Sequence, residues 1–264
     1  MPKFGVIKHG NMNGYKRLLL GTGVALMAAL ALRGSVSHDG GGFAVVELFT
    51  SEGCSSCPPA EALMERTQLA DEDLPVYCLE FHVDYWDRQG WKDVFSNVAF
   101  TDRQRQYARW LKESQLYTPQ AVVNGSTEFV GSDEAAMTKA IHAGLQQKKV
   151  ATLVLTGLRL VSGGVDWQYK IAGMPAGEKQ RLSLVAVVVE KNAATHVKGG
   201  ENNGRTLSHV QIVRGLAMLT PGAGGAGSGH LDWPAGMNAA DGEVIAFLQD
   251  QENGKIVAAT KAKL

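Results

Sequence analysis

Two cysteines three positions apart, Cys54 and Cys57, are the residues of this chain best suited to chemistry. A thiolate attacks disulfides, and a cysteine at the start of a helix has a lowered pKa because unpaired backbone N–H groups stabilise the anion. Here an apolar strand pattern ends just before the pair, and an amphipathic run begins at Pro58. This arrangement is typical of a redox pair, with Cys54 as nucleophile and Cys57 as resolving thiol.

The residues around the pair leave a second interpretation open. Pro58 suits the first position of a helix, which makes Cys57 the cap and leaves Cys54 just outside the helix. No Lys, Arg or His lies within four residues of either cysteine, and Glu52 opposes a thiolate. The hydroxyls of the two intervening serines offset this in part. The alternative is a permanent disulfide that only pins the loop, although so short a ring removes little chain entropy.

Two further positions are expected beside the pair. Thr118-Pro119 introduces the third predicted strand, where a cis proline turns its backbone toward a neighbouring loop and shapes a substrate-binding surface. A trans proline at a strand edge is the alternative. Glu47 precedes the cysteines in the first strand, and a buried carboxylate of raised pKa there is suited to moving a proton to Cys57. A surface-facing edge position is the alternative for Glu47.

The strand from Val76 to Asp84 is expected to end at the same edge of the sheet. Because side chains alternate along a strand, His82 shares a face with Cys78 and Asp84. In a parallel pair with the first strand, His82 reaches the edge where Cys54 lies, as a base or thiolate partner. A half-buried histidine satisfied by a nearby carboxylate is equally compatible with the pattern.

Aromatic residues follow this strand at Tyr85, Trp86 and Trp91. We expect their side chains to form the base of a groove that binds a peptide or an apolar substrate. The alternative is that they only cover the end of the sheet. The third cysteine, Cys78, lies within an apolar strand pattern and is expected to be buried as a small hydrophobic residue.

Hydrophobic periodicity predicts the elements that hold these residues. Strands are predicted at 43–49, 75–83, 120–123 and 127–130, and helices at 58–70, 100–114 and 132–147. Later strands are predicted at 152–161, 165–172, 182–190, 195–198, 206–218, 243–249 and 255–260, and a mobile loop at 221–229. The first set has the β-α-β-α-β-β-α order of the thioredoxin fold. We therefore predict an α/β thioredoxin-like domain (43–149) followed by a small all-β sandwich-like domain (150–264).

The N-terminal segment predicts export. Lys16 and Arg17 precede an uncharged apolar run at 18–32 and then small residues, so residues 1–37 are predicted to be a signal peptide and 38–42 a flexible lead-in. An uncleaved membrane anchor is the alternative. Cleavage leaves 21 basic residues against 26 acidic ones, a net charge of −5, and no basic patch that indicates nucleic acid. A periplasmic or secreted location permits disulfides.

Four strings of residues resemble a known family. They are Glu-Leu-Phe-Thr-Ser-Glu-Gly-Cys-Ser-Ser-Cys-Pro-Pro-Ala from Glu47, His-Val-Asp-Tyr-Trp-Asp from His82 with Gly90-Trp91-Lys92-Asp93, Tyr-Thr-Pro-Gln from Tyr117, and residues 200–205. They are similar to the secreted thioredoxin-like family catalogued as domain of unknown function 1223. The resemblance implies export and a thioredoxin-like fold without supplying a reaction.

A more distant resemblance to thioredoxin itself rests on Cys54, Cys57 and Pro119, with Glu47 near the position of its buried aspartate. The Ser-Ser dipeptide between the cysteines and the Pro-Pro after them depart from thioredoxin, which leaves the direction of the redox reaction open.

The function that the sequence favours is an exported thiol–disulfide oxidoreductase. Its partners are protein or small-molecule thiols and disulfides, with no metal and no cofactor, and any membrane contact is through an uncleaved N-terminus. The first alternative is a metal-binding protein in which Cys54, Cys57 and His82, with or without Asp84, hold copper or zinc. The second is a non-catalytic interaction protein.

Overall fold

The computed structural model describes residues 41–71, 73–174 and 181–264. Within these ranges the chain forms three α-helices and eleven strands, with short 3₁₀ helices at Asp84–Trp86 and Ala239–Asp241. The helices are α1 (Pro58–Ala70), α2 (Val98–Leu111) and α3 (Glu134–Leu145). The strands are β1 (Ala44–Thr50), β2 (Val76–His82), β3 (Gln120–Val123), β4 (Thr127–Val130), β5 (Thr152–Val161), β6 (Gly164–Ala172), β7 (Leu182–His196), β8 (Thr206–Leu219), β9 (Ala226–Asp232), β10 (Gly242–Asp250) and β11 (Ile256–Ala262).

Eight of these strands form one mixed sheet in the order β11-β10-β7-β8-β2-β1-β3-β4. β1 pairs in parallel with β2, with Thr50 opposite His82, and antiparallel with β3. On its other side β2 pairs in parallel with β8, where Glu80 lies opposite Ile212. The remaining strands form a three-stranded antiparallel sheet in the order β5-β6-β9. The pairing of β2 with β8 brings a late segment of the chain to the edge where the cysteines follow β1.

Local sequence accounts for where the helices begin. α1 starts at Pro58, whose fixed φ and missing N–H fit the first helical position. α2 begins two residues earlier than predicted because the Asn97 side chain caps it by accepting a hydrogen bond from the N–H of Ala99. It ends at Leu111 because Lys112 adopts the left-handed conformation (φ 60°).

Buried side chains cover both faces of the large sheet. Leu48 of β1 packs on the face that carries α1 and α3, and Phe49 packs on the face that carries α2. Every residue of β1 is buried, because this strand is covered on both sides. A third cluster, which includes Trp167, lies between the small sheet and the β7 and β10 end of the large sheet.

The predicted fold class, an α/β thioredoxin-like domain followed by a small all-β sandwich-like domain, is wrong. The described residues are mostly β, with only three α-helices, and the strands from both halves of the chain share one eight-stranded sheet. Instead of forming a sandwich of its own, the later segment adds β8, β7, β10 and β11 to the sheet beside β2. The physical reason is that β2 has a free edge, which β8 pairs with through backbone hydrogen bonds.

The predicted mobile loop at 221–229 is also wrong in part, because β9 begins at Ala226. Its glycines make room for aromatic rings of β6. A Cβ added at Gly229 would lie 2.2 Å from the Trp167 ring, so the composition that resembled a loop reflects close packing.

The predicted signal peptide and most of the lead-in lie outside the described residues. The domain limits stay a prediction, and the predicted boundary near residue 150 falls between α3 and β5. In the part of the chain that the structure describes, no helix is both long enough and apolar enough to cross a membrane.

Candidate functional site

The cysteine pair lies between the end of β1 and the start of α1. Cys54 and Cys57 form a disulfide with their Cα atoms 5.5 Å apart, and Cys57 is the cap residue of α1. Both cysteines are fully buried, whereas Ser55 and Ser56 between them are exposed. The disulfide therefore lies directly beneath two surface serines.

The sulfur of Cys54 contacts the Thr118–Pro119 segment. The peptide bond between these residues is cis, and the Thr118 carbonyl oxygen lies 3.9 Å from Cys54 Sγ. Ser56 Oγ lies 3.3 Å from the same sulfur and 3.5 Å from the Thr118 carbonyl oxygen. Trp86 Nε1 donates to Thr118 Oγ1 at 2.8 Å, which fixes this segment beside the disulfide.

The loop between β7 and β8 holds the cysteine loop from the other side. Asn202 is fully buried, and its Nδ2 donates to the carbonyl oxygens of both Glu52 and Cys54 at 2.9 Å. The Ser55 backbone N–H donates to Glu201 Oε2 at 2.9 Å, and hydrogen bonds from Ser55 lower the pKa of the Glu201 carboxyl. Arg205 donates to Asn202 Oδ1 at 2.7 Å. These contacts make the β7–β8 loop a cover over the disulfide.

His82 is connected to the cysteine loop through Asp93. His82 Nδ1 lies 2.7 Å from Asp93 Oδ2, which also accepts a hydrogen bond from the Glu52 backbone N–H at 2.8 Å. Burial raises the pKa of Asp93, but attraction to His82 and these hydrogen bonds outweigh it and hold that pKa below its usual value. Among the described residues, His82 has no hydrogen bond to either cysteine sulfur, and its hydrogen-bonded link to the cysteine loop runs through Asp93 to the Glu52 backbone.

A second histidine, His209 of β8, lies beside His82 with the ring centroids 4.9 Å apart. Its Nε2 is 3.4 Å from Glu52 Oε1, and its Nδ1 is 3.4 Å from Glu61 Oε2. Burial lowers the pKa of His209, but these carboxylates, together with Glu80, raise it to about 10. An imidazolium at this position compensates part of the negative charge around it.

Glu80 completes a group of buried ionisable side chains beneath the disulfide. Burial and the Glu61 carboxylate raise the pKa of Glu80 well above its usual range, although His209 and the N–H of Val210 act in the opposite direction. Burial is also the main cause that raises the pKa of the Cys78 thiol to about 12. We call the six ionisable residues at this end of the sheet the carboxylate–histidine cluster: Glu52, Glu61, Glu80, His82, Asp93 and His209.

The aromatic residues predicted to floor a groove are half-buried around the same site. Trp86 packs beside Gly53, and Trp91 Nε1 donates to Glu52 Oε2 at 2.6 Å. Tyr85 has a buried hydroxyl with no hydrogen-bond partner in the part of the chain described. These side chains border the cysteine loop, and their role in binding a substrate stays a prediction.

The Glu47 side chain binds residues of α2 and not the cysteines. Its carboxylate is fully buried and is bound by Arg103 Nε and Nη2 of α2 and by the Tyr107 hydroxyl. Gln249 of β10 donates to the same Tyr107 hydroxyl at 2.8 Å. The geometry therefore joins Glu47 to α2 and β10, and the described contacts of this carboxylate include no cysteine.

The structure thus brings together Cys54, Cys57, Thr118 and Trp86, and it brings His82 close through Asp93. His209 and Asn202 were not predicted at this site, because they are far from the cysteines along the chain. The available signals were a histidine inside the apolar strand pattern of β8 and the family-like string at 200–205.

Two solved structures resemble the chain. The crystal structure of protein AGR_C_4864 from Agrobacterium tumefaciens aligns with a TM-score of 0.63 and 25% identity, over 83% of this chain and 93% of that one. HBP35 of Porphyromonas gingivalis aligns with a TM-score of 0.59 and 17% identity, over 84% of this chain and 75% of its own. The second likeness is one of fold alone. No curated protein sequence matches the chain.

A family model for proteins of unknown function, DUF1223, matches residues 45–249. This range runs from β1 to β10, and it contains the disulfide, the β7–β8 loop and the carboxylate–histidine cluster. The chain therefore belongs to the DUF1223 family.

Proposed function

We propose that this protein is an exported thiol–disulfide oxidoreductase that exchanges the Cys54–Cys57 disulfide with thiols of a partner. The observation that carries the proposal is the set of contacts around Cys54 Sγ. This sulfur touches an exposed serine hydroxyl at 3.3 Å and the Thr118 carbonyl oxygen at 3.9 Å. A neighbouring hydroxyl that donates to sulfur stabilises a thiolate, which favours Cys54 as the nucleophile.

The reaction transfers two electrons between the pair and the partner. In the oxidised protein, a partner thiolate attacks Cys54 Sγ, the intramolecular S–S bond breaks, and Cys57 leaves as a thiolate and takes up a proton. A second partner thiol, after losing its proton, then attacks the mixed disulfide and leaves Cys54 reduced. The partner is oxidised to a disulfide, and the reverse sequence oxidises a reduced Cys54–Cys57 pair.

Access to the disulfide requires that its cover move. Both cysteines are fully buried, and an attacking thiolate must approach along the S–S axis. The β7–β8 loop is held on the cysteine loop by Asn202 and by the exposed hydrogen bond between Ser55 and Glu201. These are three hydrogen bonds, of which the one between Ser55 and Glu201 is exposed, so we propose that partner binding displaces this loop.

The deciding experiment is the reduction potential of the pair, measured in glutathione or dithiothreitol buffers with mass readout. A value near about −120 mV indicates disulfide donation, and one near about −270 mV indicates a reductant that needs an electron supply. A pair that stays oxidised below about −300 mV is a structural disulfide and overturns the proposal.

Trapping gives a second readout. In Cys57→Ser the mixed disulfide between Cys54 and a partner cannot be resolved, so adducts are expected to accumulate in the exported fraction. Cys78→Ser is the matched control, because Cys78 is buried and outside the pair. Equal adduct levels in both variants contradict the assignment of Cys54 as nucleophile.

The proposed location depends on residues 1–37. Cell fractionation with N-terminal mass analysis is expected to find the protein outside the cytosol with an N-terminus near residue 38. An N-terminus at Met1 in the soluble cytosolic fraction contradicts this part of the proposal.

A further inference from the structure

Three residues of the carboxylate–histidine cluster converge from separate elements. Glu61 comes from α1, His82 from the end of β2 and His209 from β8, and each offers one ligand atom within 4.8 Å of the other two. All three are buried, with 3%, 0% and 1% of their surface exposed. The sheet and α1 therefore fix the backbone of all three, as a preorganised site requires.

Several ligand-type atoms at this point lack a hydrogen bond. His82 Nε2 and both ring nitrogens of His209 are buried without a hydrogen-bond partner among the residues that the structure describes. The 3.4 Å contacts of His209 with Glu52 and Glu61 are ion pairs that lack hydrogen-bond geometry. Buried polar atoms are rarely left unsatisfied, and an ion is one of the groups that satisfies them.

The partner of His82 fixes which of its nitrogens is available. Its Nδ1 lies 2.7 Å from Asp93 Oδ2, and a neutral ring that donates there carries its lone pair on Nε2. A carboxylate that orients a histidine in this way is typical of the outer shell of metal sites. Asp93 is itself held by the backbone N–H groups of Glu52 and Phe95, so the ring orientation is well defined.

The spacing suits a small cation. In a tetrahedral site with bonds of about 2.1 Å, ligand atoms lie about 3.4 Å apart. His209 Nδ1 and Glu61 Oε2 already have this separation, at 3.4 Å. The ligand atom of His82 lies within 4.8 Å of the other two, so metal binding requires these side chains to draw together. Glu61 Oε1 accepts from Thr50 Oγ1 at 2.6 Å, which leaves Oε2 directed at His209.

We propose that Glu61, His82 and His209 bind one divalent transition-metal ion, and that Zn²⁺ is the ion best suited to the site. Imidazole nitrogen and carboxylate oxygen are usual zinc ligands, and three protein ligands leave a position open for water or substrate. Because a histidine ligand must be neutral, the metal ion displaces the ring proton that His209 carries in its absence, and that proton leaves to solvent. The three converging residues include no cysteine, so the site differs from a cysteine site for Cu(I) in both redox states of the Cys54–Cys57 pair. It is also independent of the redox reaction proposed above.

Phe95 marks the route to the site. Its ring packs against both histidines, with centroids 5.3 Å from His82 and 5.5 Å from His209, and it is only half-buried. We expect metal entry to require movement of this ring, over which the Arg214 guanidinium also lies, 5.0 Å from the centroid. Metal uptake by the folded protein is expected.

The test is zinc binding to the purified full-length chain after treatment with a chelator, by calorimetry and by elemental analysis after dialysis. One Zn²⁺ per chain is expected. Glu61→Gln and His209→Gln are expected to lose at least about 100-fold in affinity, since even outer-shell changes cost 10- to 100-fold. The exposed His230→Gln and the double variant Cys54→Ser/Cys57→Ser are controls that are expected to bind as the wild type does.

Cobalt provides a readout that does not depend on variants that fold poorly. Co²⁺ in the wild-type protein is expected to give the visible absorption of a four-coordinate site without a sulfur-to-cobalt charge-transfer band. Absence of saturable binding overturns the proposal. It is equally overturned by unchanged affinity in Glu61→Gln, by a sulfur-to-cobalt band, or by loss of binding in the cysteine double variant, which favours cysteine ligands.

Discussion

Two buried polar clusters lie on opposite faces of the large sheet, and they differ in how completely their atoms are paired. On the α2 face, the arginine cluster consists of Glu47, Arg103, Tyr107 and Gln249. Arg103 binds both oxygens of Glu47 and also reaches Tyr107 and Gln249, and none of the side-chain atoms of these four residues is unpaired within the described chain. On the α1 face, the carboxylate–histidine cluster leaves atoms of Glu52, Glu80, His82 and His209 without hydrogen bonds.

This difference in pairing is the basis on which we assign a structural role to the arginine cluster and propose a binding role for the carboxylate–histidine cluster. A buried charge is tolerated when it is paired and hydrogen-bonded, and the arginine cluster meets this condition with one cation and one anion in direct contact. The carboxylate–histidine cluster gathers several carboxylates around His209, beneath a disulfide that is itself covered by only a few polar contacts. Unsatisfied groups of this kind concentrate where a protein binds or reacts.

The largest effect is expected when the cation of the arginine cluster is removed, which tests whether that cluster is structural. Arg103→Met leaves the buried Glu47 carboxylate without its partner, so we expect a loss of about 3–5 kcal/mol in the free energy of unfolding. Urea denaturation measures it. Arg105→Met is the matched control on the same helix, because its ion pair with Asp102 is exposed, and a change within about 0.5 kcal/mol is expected. A loss below about 1 kcal/mol in Arg103→Met contradicts the structural role.

A smaller loss in the free energy of unfolding is expected from a substitution in the β7–β8 loop, which covers the disulfide. Asn202→Ala removes the donor to two buried carbonyl oxygens, which costs about 1–3 kcal/mol. Unlike Arg103→Met, it is also expected to raise the rate at which dithiothreitol reduces the disulfide in the native protein, because the β7–β8 loop is released. The exposed Asn203→Ala is the control for both measurements. If stability falls while the reduction rate stays unchanged, the loop is not the barrier to access.

The contrast between these sites explains what the sequence predicted and what it did not. β5 has the predicted bounds because alternating apolar residues and flanking turns are local signals. A position of Thr118 near Cys54 was also expected, because the β-α-β-α order that precedes β3 places the start of β3 beside the cysteine loop. The fold class failed because the pairing of β2 with β8 joins residues more than 120 positions apart, and no local pattern specifies which strand edges meet.

The same limit applies to the cluster. His82 was predicted at the site because the parallel pairing of β1 with β2 is enough to place it there. His209 was missed because its position depends on the pairing of β2 with β8. Glu47 was assigned to Cys57 because strand alternation gives a side chain's face only relative to its neighbours. Its actual partner, Arg103, lies on a helix whose packing face the sequence left undetermined. Three of the family-like strings, which contain Glu52, Asp93 and Asn202, meet at the cysteine loop.

A substitution in the carboxylate–histidine cluster is expected to lower the free energy of unfolding by less than one in the arginine cluster does. Glu61→Gln keeps an acceptor for Thr50 and removes one of several crowded carboxylates, so without metal we expect a change below about 1.5 kcal/mol. Saturating Zn²⁺ is expected to raise the melting temperature of the wild type and not that of this variant. A loss as large as that of Arg103→Met shows instead that the two clusters are equally structural.

The smallest effect is expected at Cys78, which shares the β2 face with His82 and is buried, with 3% of its surface exposed. Burial raises the pKa of its thiol to about 12, so the reactive thiolate is scarce at pH 8. After mild reduction of the native protein, iodoacetamide is expected to label Cys54 and Cys57 and to leave Cys78 unmodified, as mass analysis of peptides measures. Labelling in urea supplies the control, because the unfolded chain exposes all three thiols. Labelling of Cys78 at the rate of the pair in the native protein contradicts the assignment of Cys78 as a buried thiol that stays protonated.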